Sequence, residues 1–503
     1  MMKKLYYGGK IHSMMSEDDI FSVMVTEGEK ITYTGDKIPS GTFDEKIDLM
    51  GKHVYPTMTD SHLHLLYTIV LAAASFNICE ITSDGVKPDN MADIGERVKA
   101  FCKANPKQKI ITANGFIISA VNEKRLPTRF ELDEWSDGRA MIVYSIDGHS
   151  SAISTKLMEM LKLPTNDSDG IFSGEAHEFM QGKVTNLIAS NVTPAIIAKG
   201  IANFSNLCAS YGISRVCAMD GNEDVENDIL TKALAFLAER MDIDVRLFPQ
   251  YMDYDRLQSF SKKQKTLRAG GCGVWELDGS VGSHSAAFNE PYKDNCTQGH
   301  CYYEKDKIKS KVSEAIDKDI RLSCHAIGES AIDQITEVYS ELENRIPTSG
   351  AMMRIDHFEF PSKKAVELIK KLPLAITVQP GFSWIDKHFL KSYEQFLPES
   401  IINRQLPLKD LMNSNVCVCG SSDSPVQSVN PYEQMLGELN TGTLQKGNDA
   451  DFFVCDRDIL SCKGTDITLC KAEYMIVRGE RYKEKKGTLG ELLKMIATKP
   501  HKI

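Results

Sequence analysis

Eight short apolar runs alternate with longer helical patterns through the middle of the chain, and this alternation constrains the fold most strongly. The runs cover residues 53–60, 213–219, 244–250, 272–277, 320–324, 352–356, 374–378 and 415–419. Helical patterns such as Asp306–Asp319, Ser330–Arg345 and Ser362–Lys371 lie between them. Strands that alternate with helices are typical of βα units around a parallel sheet. The eight runs therefore predict an α/β protein built as a (β/α)8 TIM barrel.

The two ends of the chain have a different pattern. Strand-like runs separated by Gly-containing turns occur at Lys4–Met14, Phe21–Thr34, Asp451–Cys455 and Tyr474–Arg478. We expect these runs to pair in a small β-sandwich domain that brings the termini together. The predicted domains are residues 1–52 as the first part of the β-sandwich, 53–425 as the barrel with a large insertion at about 66–205, and 426–503 as the second part with a C-terminal helix.

Composition limits the classes of partner. The net charge of −10 and the absence of a Lys/Arg-rich run argue against a nucleic-acid partner. Residues 1–10 lack the apolar stretch of a signal sequence, and no run reaches the roughly 18 apolar residues of a membrane helix. The thirteen cysteines show no Cys-x-x-Cys spacing and are expected to be reduced thiols. These features predict a cytoplasmic protein that acts on a small molecule without a membrane partner; a homodimer is left open.

Histidines and an aspartate stand where the predicted strands end. His62 and His64 follow the first run, and because alternate residues of a strand share a face, both side chains are expected to point into the barrel mouth. His325, His357 and Asp423 follow the fifth, sixth and eighth runs. In a (β/α)8 barrel the active site lies at these carboxyl ends. Any one of them alone is more often structural, but together, in this order, they predict a divalent metal centre.

The motifs around these residues extend along nearly the whole chain. They are Tyr55–Leu65, Asp147–Ser150, Tyr211–Asp220, Leu277–Tyr292, His325–Asp333, Arg354–His357, Gly420–Val426 and Gly442–Asp456. With this series the sequence resembles the amidohydrolase superfamily, in its branch of YtcJ-like and N-substituted formamide deformylase-like proteins, amidohydrolase family 3. The motifs are specific for the branch and do not indicate a substrate.

The resemblance implies a metal-dependent amidohydrolase that activates water to cleave a carbon–nitrogen bond other than a peptide bond, in an amide, formamide or cyclic amide. It implies that His62 and His64 bind metal from the first strand, and that His325 and His357 bind it from the fifth and sixth. Asp423 is implied both as a metal ligand and as the catalytic proton carrier. One or two divalent ions are expected, with zinc favoured over iron or manganese.

Two departures from the family pattern affect these expectations. Relatives usually carry a carboxylated lysine that bridges two metals, but Val274 occupies that position, so no carboxylated lysine is expected there. Glu276 is two residues further along the predicted strand, on the same side by alternation, and is therefore a candidate metal ligand. A structural Glu276 is the alternative, and it would leave a site for one metal. The second departure is the short stretch after Asp423, where the last barrel helix is expected to be short or replaced by the tail Leu489–Thr498.

Other residues are candidates for supporting roles. His149, in the insertion, and Asp278 and His284, after the fourth strand, are predicted to bind substrate. Asp60 is a candidate partner for a ligand histidine, and Asp220 is equally compatible with a structural role. Five other histidines have no such context and are expected at the surface: His12, His177, His300, His388 and His501.

Two other functions are compatible with the same sequence features. A non-hydrolytic enzyme, such as an isomerase or a decarboxylase, could use the same metal site. A catalytically inactive binding barrel is the second alternative, and the missing lysine supports it. Against the inactive barrel, a scaffold without chemistry gains nothing from clustered ionisable side chains, whose burial costs free energy.

Overall fold

Two all-parallel sheets, of three and five strands, form the centre of the molecule. The computed structural model describes residues 1–503 except 17, 83–84, 147, 166–167, 190–192, 224–227, 261–265, 349–351, 415, 436–442, 463 and 502–503. Numbered first to eighth in chain order, the parallel strands are Met58–Leu63, Ile213–Asp220, Asp244–Pro249, Leu267–Gly270, Ile320–Ala326, Met353–His357, Leu374–Val378 and Cys417–Gly420. The three-stranded sheet has the order third, second, first, and the other five strands pair in sequence. A parallel bridge from Leu63 to Ser424 links the first strand to the segment after the eighth.

Helices follow the parallel strands and cover the sheets. The α-helices are Leu65–Ala74, Met91–Ala104, Arg129–Trp135, Thr155–Met160, Gly174–Ala189, Pro194–Tyr211, Ile229–Ala238, Tyr254–Phe260, Lys305–Asp317, Glu329–Glu341, Lys363–Ile369, Pro380–Ile385, Ser392–Phe396, Glu399–Ile402, Leu408–Met412, Pro431–Met435 and Leu489–Ala497. Apolar residues such as Ile308, Ile335 and Ile369 are buried with strand residues in one core cluster. After the eighth strand the described residues include the helix Pro431–Met435, and residues 436–442 lie outside the described part, so the short or replaced last helix stays a prediction.

The first predicted strand divides into two. His53–Pro56 joins a sheet formed by the chain ends, whereas Met58–Leu63 is the first parallel strand. Thr57 stands between them and donates its backbone N–H to the carbonyl of Asp451, at 3.2 Å. Because Pro56 has no N–H to donate, a sheet ladder cannot continue evenly through it. The terminal sheet is therefore joined directly to the strand that carries His62.

The fourth parallel strand lies earlier than expected. It ends at Gly270, and Gly273–Trp275 forms a 3₁₀ turn where the sequence predicted a strand. Gly270 and Gly271 have φ values of 104° and 98°, which residues with a side chain rarely adopt. A Cβ at Gly270 would also lie 1.9 Å from the Ser323 carbonyl oxygen of the next strand. The strand assignment was wrong, and with it the alternation that placed Glu276 on the ligand side.

The N- and C-terminal segments form one mixed sheet. Its strands, in pairing order, are Glu480–Arg481, Tyr474–Val477, Phe452–Cys455, His53–Pro56, Lys3–His12, Ile20–Glu27 and Lys30–Gly35, and Glu45–Asp48 pairs with Lys3–His12. The predicted turn at Gly28 is present, and its φ of 59° suits glycine. Tyr6 and Phe452 lie in the buried cluster on this sheet. The predicted pairing of the two chain ends is thus observed as an eight-stranded sheet.

The segment between the first and second parallel strands has its own sheet and core. The strands, in pairing order, are Ile171–Ser173, Ser150–Ile153, Ala140–Ser145, Ile110–Phe116 and Ser75–Asn77, and a separate pair comprises Glu80–Thr82 and Gly85–Lys87. Two of these, Ile110–Phe116 and Ala140–Ser145, match the strand-like runs expected there. Ile94, Ile111 and Trp135 are buried in a cluster of this unit. The insertion is therefore a folded unit.

Two further expectations concern cysteines and membranes. All thirteen cysteines are free thiols. Within the described residues, no helix combines the length and the apolar character that crossing a membrane requires.

Two histidines expected at the surface are buried. His177 is fully buried and lies 3.0 Å from the Ser151 hydroxyl. His12 is 2% exposed, and its Nε2 lies 2.9 Å from Nδ1 of His53. Burial lowers the pKa of His12 from 6.5 to about 4, while Asp458 opposes that shift. The surface prediction was wrong for both, because the terminal sheet covers His12 and the insertion covers His177.

Replacement of His12 by Asn is expected to reduce the dependence of stability on acid pH. The folded-state pKa of His12 is about 4 and the ordinary value is 6.5, so the unfolded chain binds the proton first as pH falls. Stability is therefore lost between these two values and retained above 6.5. Denaturant unfolding across this window measures the slope, with exposed His388→Asn as the control. An unchanged slope in His12→Asn would contradict the assignment.

Candidate metal centre

His62 lies at the carboxyl end of the first parallel strand and is fully buried. Its Nδ1 donates to Oδ2 of Asp356 at 2.8 Å, and Oδ1 of Asp356 lies 2.7 Å from Nε of Arg354. Burial opposes ionisation of Asp356, but Arg354 and His62 hold the pKa of this carboxyl well below its usual range. The carboxylate therefore selects the tautomer of His62 that carries its proton on Nδ1, which leaves the Nε2 lone pair for a metal.

His64 and His357 are oriented in the same way by neutral acceptors. Nδ1 of His64 donates to the carbonyl oxygen of Met219 at 2.9 Å. Nδ1 of His357 donates to Oε1 of Gln379 at 2.9 Å, and Nε2 of Gln379 donates to the Ser421 hydroxyl, which fixes the orientation of the amide. Because Nδ1 is engaged in both histidines, Nε2 is the nitrogen that each can offer to a metal.

Asp423 follows the eighth strand and brings a carboxylate to these nitrogens. Its Oδ1 lies 3.2 Å from Nε2 of His62 and 3.3 Å from Nε2 of His64. Burial opposes ionisation, but His62 and His64 hold the pKa of Asp423 well below its usual range. The φ of Asp423 is 56° and that of His357 is 71°. Left-handed backbone is uncommon for residues other than glycine, although Asp and His adopt it more often than most, and it clusters at functional sites.

Asp60 holds the backbone on both sides of the centre. Its carboxylate accepts from the N–H of Ser422 at 3.1 Å, from the Ser422 hydroxyl at 2.5 Å and from the N–H of His62 at 3.3 Å. Burial raises its pKa to about 6. Asp60 thus ties the first strand to the loop before Asp423, while the partner of the His62 ring is Asp356. The expectation that Asp60 orients a ligand imidazole was wrong.

Asp220 has a structural position directly beside the centre. It accepts from the backbone N–H groups of Leu65 and Leu66, at 3.0 and 3.1 Å, and so caps the helix Leu65–Ala74 that begins after His64. Burial raises its pKa to about 6. Of the two roles that the sequence left open, the observed contacts favour the structural one.

His325 completes the set of histidines. It belongs to the fifth strand, is fully buried, and its ring centroid lies 4.4 Å from that of His357. Neither ring nitrogen has a hydrogen-bond partner among the described residues. Burial and the neighbouring His357 hold its pKa well below the usual range, so the ring is neutral, the form that binds metals. Nδ1 lies 3.7 Å from Oδ1 of Asp278. Because buried polar atoms are normally satisfied, the unsatisfied ring nitrogens fit a role for His325 as a metal ligand.

Cys272 also reaches the centre, and the sequence did not single it out. Its thiol is buried, and Sγ lies 3.5 Å from Nε2 of His62. The donor atoms of His62, His64 and Cys272 all lie within 4.8 Å of one another, as do those of His62, His357 and Asp423. The signal that could have found it is the Gly270-Gly271 pair, which ends the fourth strand just before Cys272.

Glu276 borders the same space in a different role. It is 5% exposed, and its Oε1 accepts from the N–H of Gly273 at 3.0 Å, closing the 3₁₀ turn. Among the described residues, it belongs to none of the groups of three donors that converge within 4.8 Å. Its bridging of two metals stays a prediction.

These distances fit a divalent metal. With metal–nitrogen and metal–oxygen bonds of about 2.0 Å, donors at neighbouring corners of a tetrahedron lie about 3.3 Å apart. The observed separations of Oδ1 of Asp423 from His62 and His64 are 3.2 and 3.3 Å. Burial opposes protonation of His62 and His64, but Cys272 and Asp423 hold the pKa of both rings well above the usual value, so a metal would take the place of the Nε2 protons. Imidazoles with a carboxylate are suitable ligands. The residues present can therefore hold a zinc-like ion.

The three predicted substrate contacts occupy different places. His149 lines the cleft above the centre, with its ring centroid 5.4 Å from that of His325. Asp278 is fully buried and accepts from the backbone N–H groups of Ala287, Ile327 and Gly328. Burial raises its pKa to about 7.

His284 pairs with Asp294 at 2.9 Å and packs on the ring of Tyr292. Asp278 and His284 are not among the described residues that line the cleft. Their contact with substrate stays a prediction, as does that of His149.

A cleft of about 1540 Å³ opens above the centre. His64, Cys272, His325, His357 and Asp423 line its floor. Residues of the insertion, including 114–119 and 144–149 apart from 147, contribute to one wall. The cleft is large enough for a small-molecule substrate together with solvent.

Comparison with known proteins places this site in a family. A profile described as the amidohydrolase family matches residues 45–437. Putative amidohydrolase YtcJ of Bacillus subtilis (strain 168) is 21% identical over 544 aligned residues, which cover 96% of this chain and 100% of that protein. N-substituted formamide deformylase of Arthrobacter pascens is 19% identical over 417 residues, which cover 78% of this chain and 74% of that protein.

A crystal structure of an uncharacterized metal-dependent hydrolase from Pyrococcus furiosus gives a TM-score of 0.66 at 23% identity, covering 91% of this chain and 99% of that one. At this identity the likeness shows the fold alone, a mixed α/β fold of the TIM-barrel type. Because the family profile spans more than half of the chain, the protein belongs to the amidohydrolase family. The resemblance drawn from the motifs is thereby confirmed.

Replacement of Gln379 by Met is expected to weaken metal binding without unfolding the chain. The variant removes the acceptor of His357 Nδ1 and keeps the side-chain length. Loss of such a partner typically lowers metal affinity by roughly 10- to 100-fold. Competition with a chromophoric zinc chelator measures the change. Gln334→Met is the control, because its amide donates to Tyr303 on the helical side of the sheet; equal affinities in the two variants would exclude the role of Gln379.

Proposed function

We propose that this protein is a metal-dependent hydrolase that uses water to cleave a carbon–nitrogen bond of a small molecule, in an amide, formamide or cyclic amide. The observation that carries the proposal is the convergence of His62 Nε2, His64 Nε2 and Asp423 Oδ1, with the oxygen 3.2 and 3.3 Å from the two nitrogens. Membership of the amidohydrolase family supports hydrolysis. The relative named N-substituted formamide deformylase supports the bond class.

Four histidines and Asp423 hold the metal in this proposal. His62, His64 and Asp423 form one set of ligands, and His325 and His357 complete it or hold a second ion. Imidazoles with a carboxylate suit zinc best among available metals. When bound, a divalent metal supplies a Lewis acid that acidifies water and polarises the substrate carbonyl.

Asp423 moves the proton. Its Oδ1 faces the histidine nitrogens, which leaves Oδ2 for proton transfer. In the proposed reaction, Oδ2 takes a proton from water as the water oxygen bonds to the carbonyl carbon. It then gives that proton to the nitrogen as the carbon–nitrogen bond breaks, so that the products are an acid and an amine. The low pKa of Asp423 keeps its carboxylate ionised, which is the form that can accept a proton.

The proposal also extends the description of the fold. We infer that the two parallel sheets are arcs of one (β/α)8 barrel, as the bridge from Leu63 to Ser424 supports. We infer further that the terminal sheet belongs to an accompanying β-sandwich domain. In such a barrel the ends of the first, fourth, fifth, sixth and eighth strands meet at one face, where active sites are built.

The charge of the cleft favours a neutral or cationic substrate. Nine acidic residues and, within the described part of the chain, no Lys or Arg line it. Some of these carboxylates are engaged locally; Asp228, for example, accepts from Tyr251 and Thr231. An anionic substituent would therefore lose hydration without gaining a cationic side chain as a partner. We accordingly propose uncharged or positively charged amides and formamides as the substrate class.

The predicted charge preference can be measured with matched substrates. A neutral N-substituted formamide is compared with derivatives that carry one carboxylate or one ammonium on the same substituent. We expect kcat/KM for the carboxylate to be lower by at least about tenfold, since a tenfold effect needs only about 1.4 kcal/mol. The difference should shrink as salt is added. Equal kcat/KM for the anionic and neutral compounds would exclude the preference.

Replacement of His62 by Ala is expected to abolish turnover and to reduce bound metal, while the fold is kept. His149→Ala should instead raise KM with a smaller change in kcat, because His149 lines the cleft outside the donor cluster. Elemental analysis, circular dichroism and product masses on an amide and formamide panel test this; hydrolysis adds the mass of water to the summed products. Products without that added mass would favour an isomerase or decarboxylase. Wild-type protein that binds no divalent metal would exclude the proposed function.

A further inference from the structure

The backbone after the end of the fourth strand places the thiol of Cys272 beside His62. Gly271 has a φ of 98°, and a Cβ there would lie 2.3 Å from Sδ of Met219, so that only glycine fits between the second and fourth strands. Met219 is also the residue whose carbonyl orients His64. The next residue, Cys272, is 5% exposed and forms no disulfide.

The distance from this thiol to His62 has the value that a shared metal requires. With a metal–sulfur bond of about 2.3 Å and a metal–nitrogen bond of about 2.0 Å, the two donors lie about 3.5 Å apart in a tetrahedron. Sγ of Cys272 lies 3.5 Å from Nε2 of His62. The corresponding nitrogen–oxygen edges, to Asp423, are 3.2 and 3.3 Å. Each of these three separations has the length of one tetrahedral edge, and the donor atoms of His62, His64 and Cys272 all lie within 4.8 Å of one another.

Glu276 is less suited to this position. One of its carboxylate oxygens, Oε1, accepts from the N–H of Gly273 at 3.0 Å, and an isolated parallel bridge to His325, rather than a continuous strand, places Glu276 beside the cleft.

We propose that Cys272 is a further ligand of the proposed metal, bound as a thiolate beside His62 and His64, whose donor atoms lie within 4.8 Å of one another and of Sγ. The inference rests on the proposed function, since it concerns the same metal. On binding, the sulfur–hydrogen bond breaks, the proton passes to solvent, and the sulfur lone pair bonds to the metal without any change of oxidation state. Sulfur ligation selects zinc, cadmium or cobalt over magnesium, calcium and manganese. Zinc accommodates a fifth ligand, so four protein donors leave room for a reacting water.

Cobalt(II) substitution tests the sulfur ligand without any activity assay. Purified full-length protein is stripped with a chelator and titrated with cobalt(II). We expect visible d–d bands and, in addition, an intense near-ultraviolet thiolate-to-cobalt charge-transfer band. Cys272→Ser should keep the d–d bands, lose the charge-transfer band and bind zinc at least about tenfold more weakly. Cys79→Ser is the matched control, because Cys79 is a buried thiol elsewhere in the same cleft and should keep the band.

The outcomes separate this inference from the proposed function. Cobalt binding without a charge-transfer band in the wild type, or a band that persists in Cys272→Ser, would overturn the thiolate ligand and leave the hydrolase proposal intact. Glu276→Gln should retain the band, and loss of bound metal in that variant with an unaffected Cys272→Ser would assign the position to Glu276 instead. Failure of the wild type to bind cobalt or zinc would overturn both. Cadmium NMR of the wild type, whose resonance moves strongly downfield on sulfur ligation, gives the same answer if Cys272→Ser does not fold.

Discussion

The centre depends on one buried ion pair. Nε of Arg354 lies 2.7 Å from Oδ1 of Asp356, and Oδ2 of Asp356 lies 2.8 Å from Nδ1 of His62. The buried carboxylate thus has a cationic partner on one side and a hydrogen-bond donor on the other. An isolated carboxylate at this depth would take up a proton, because burial disfavours its charged form. It could then no longer hold His62 in the tautomer that leaves Nε2 free. The pair thus sets the orientation of His62 and ties the sixth strand to the first.

Carboxylates that bind backbone rather than metal position the loops around the centre. Asp60 holds the segment before Asp423, Asp220 caps the helix after His64, and Asp278 collects three N–H groups around the loop after His325. Burial raises the pKa of each, to about 6, 6 and 7. The pKa of the neighbouring Asp423 is shifted in the opposite direction, since His62 and His64 hold it below the usual value. The role of each carboxylate therefore depends on the groups it faces. Asp60, Asp220 and Asp278 face backbone N–H groups, whereas Asp423 faces histidine nitrogens.

Local sequence pattern predicted much of the fold, and the two wrong strand predictions have local causes. Six of the eight predicted strand runs lie within a few residues of observed parallel strands, because alternating short apolar runs and helices need little tertiary information. The prediction of one strand over residues 53–60 was wrong at Pro56, because this apolar stretch contributes strands to two sheets. The run 272–277 failed because Gly270 and Gly271, with positive φ, end the fourth strand before it begins. Apolar character alone could not reveal either boundary.

By itself, the sequence determined the family and named five candidate ligands, His62, His64, His325, His357 and Asp423, since strand-end position and residue type are both visible in it. The tertiary structure alone decided which partners orient them, because Asp356 and Gln379 meet their histidines across strand neighbours that no spacing records. It also placed Sγ of Cys272 3.5 Å from Nε2 of His62 and Oε1 of Glu276 on the N–H of Gly273. Both positions follow the positive φ angles of Gly270 and Gly271, where an added Cβ would meet Ser323 and Met219, and composition and periodicity do not encode these close approaches.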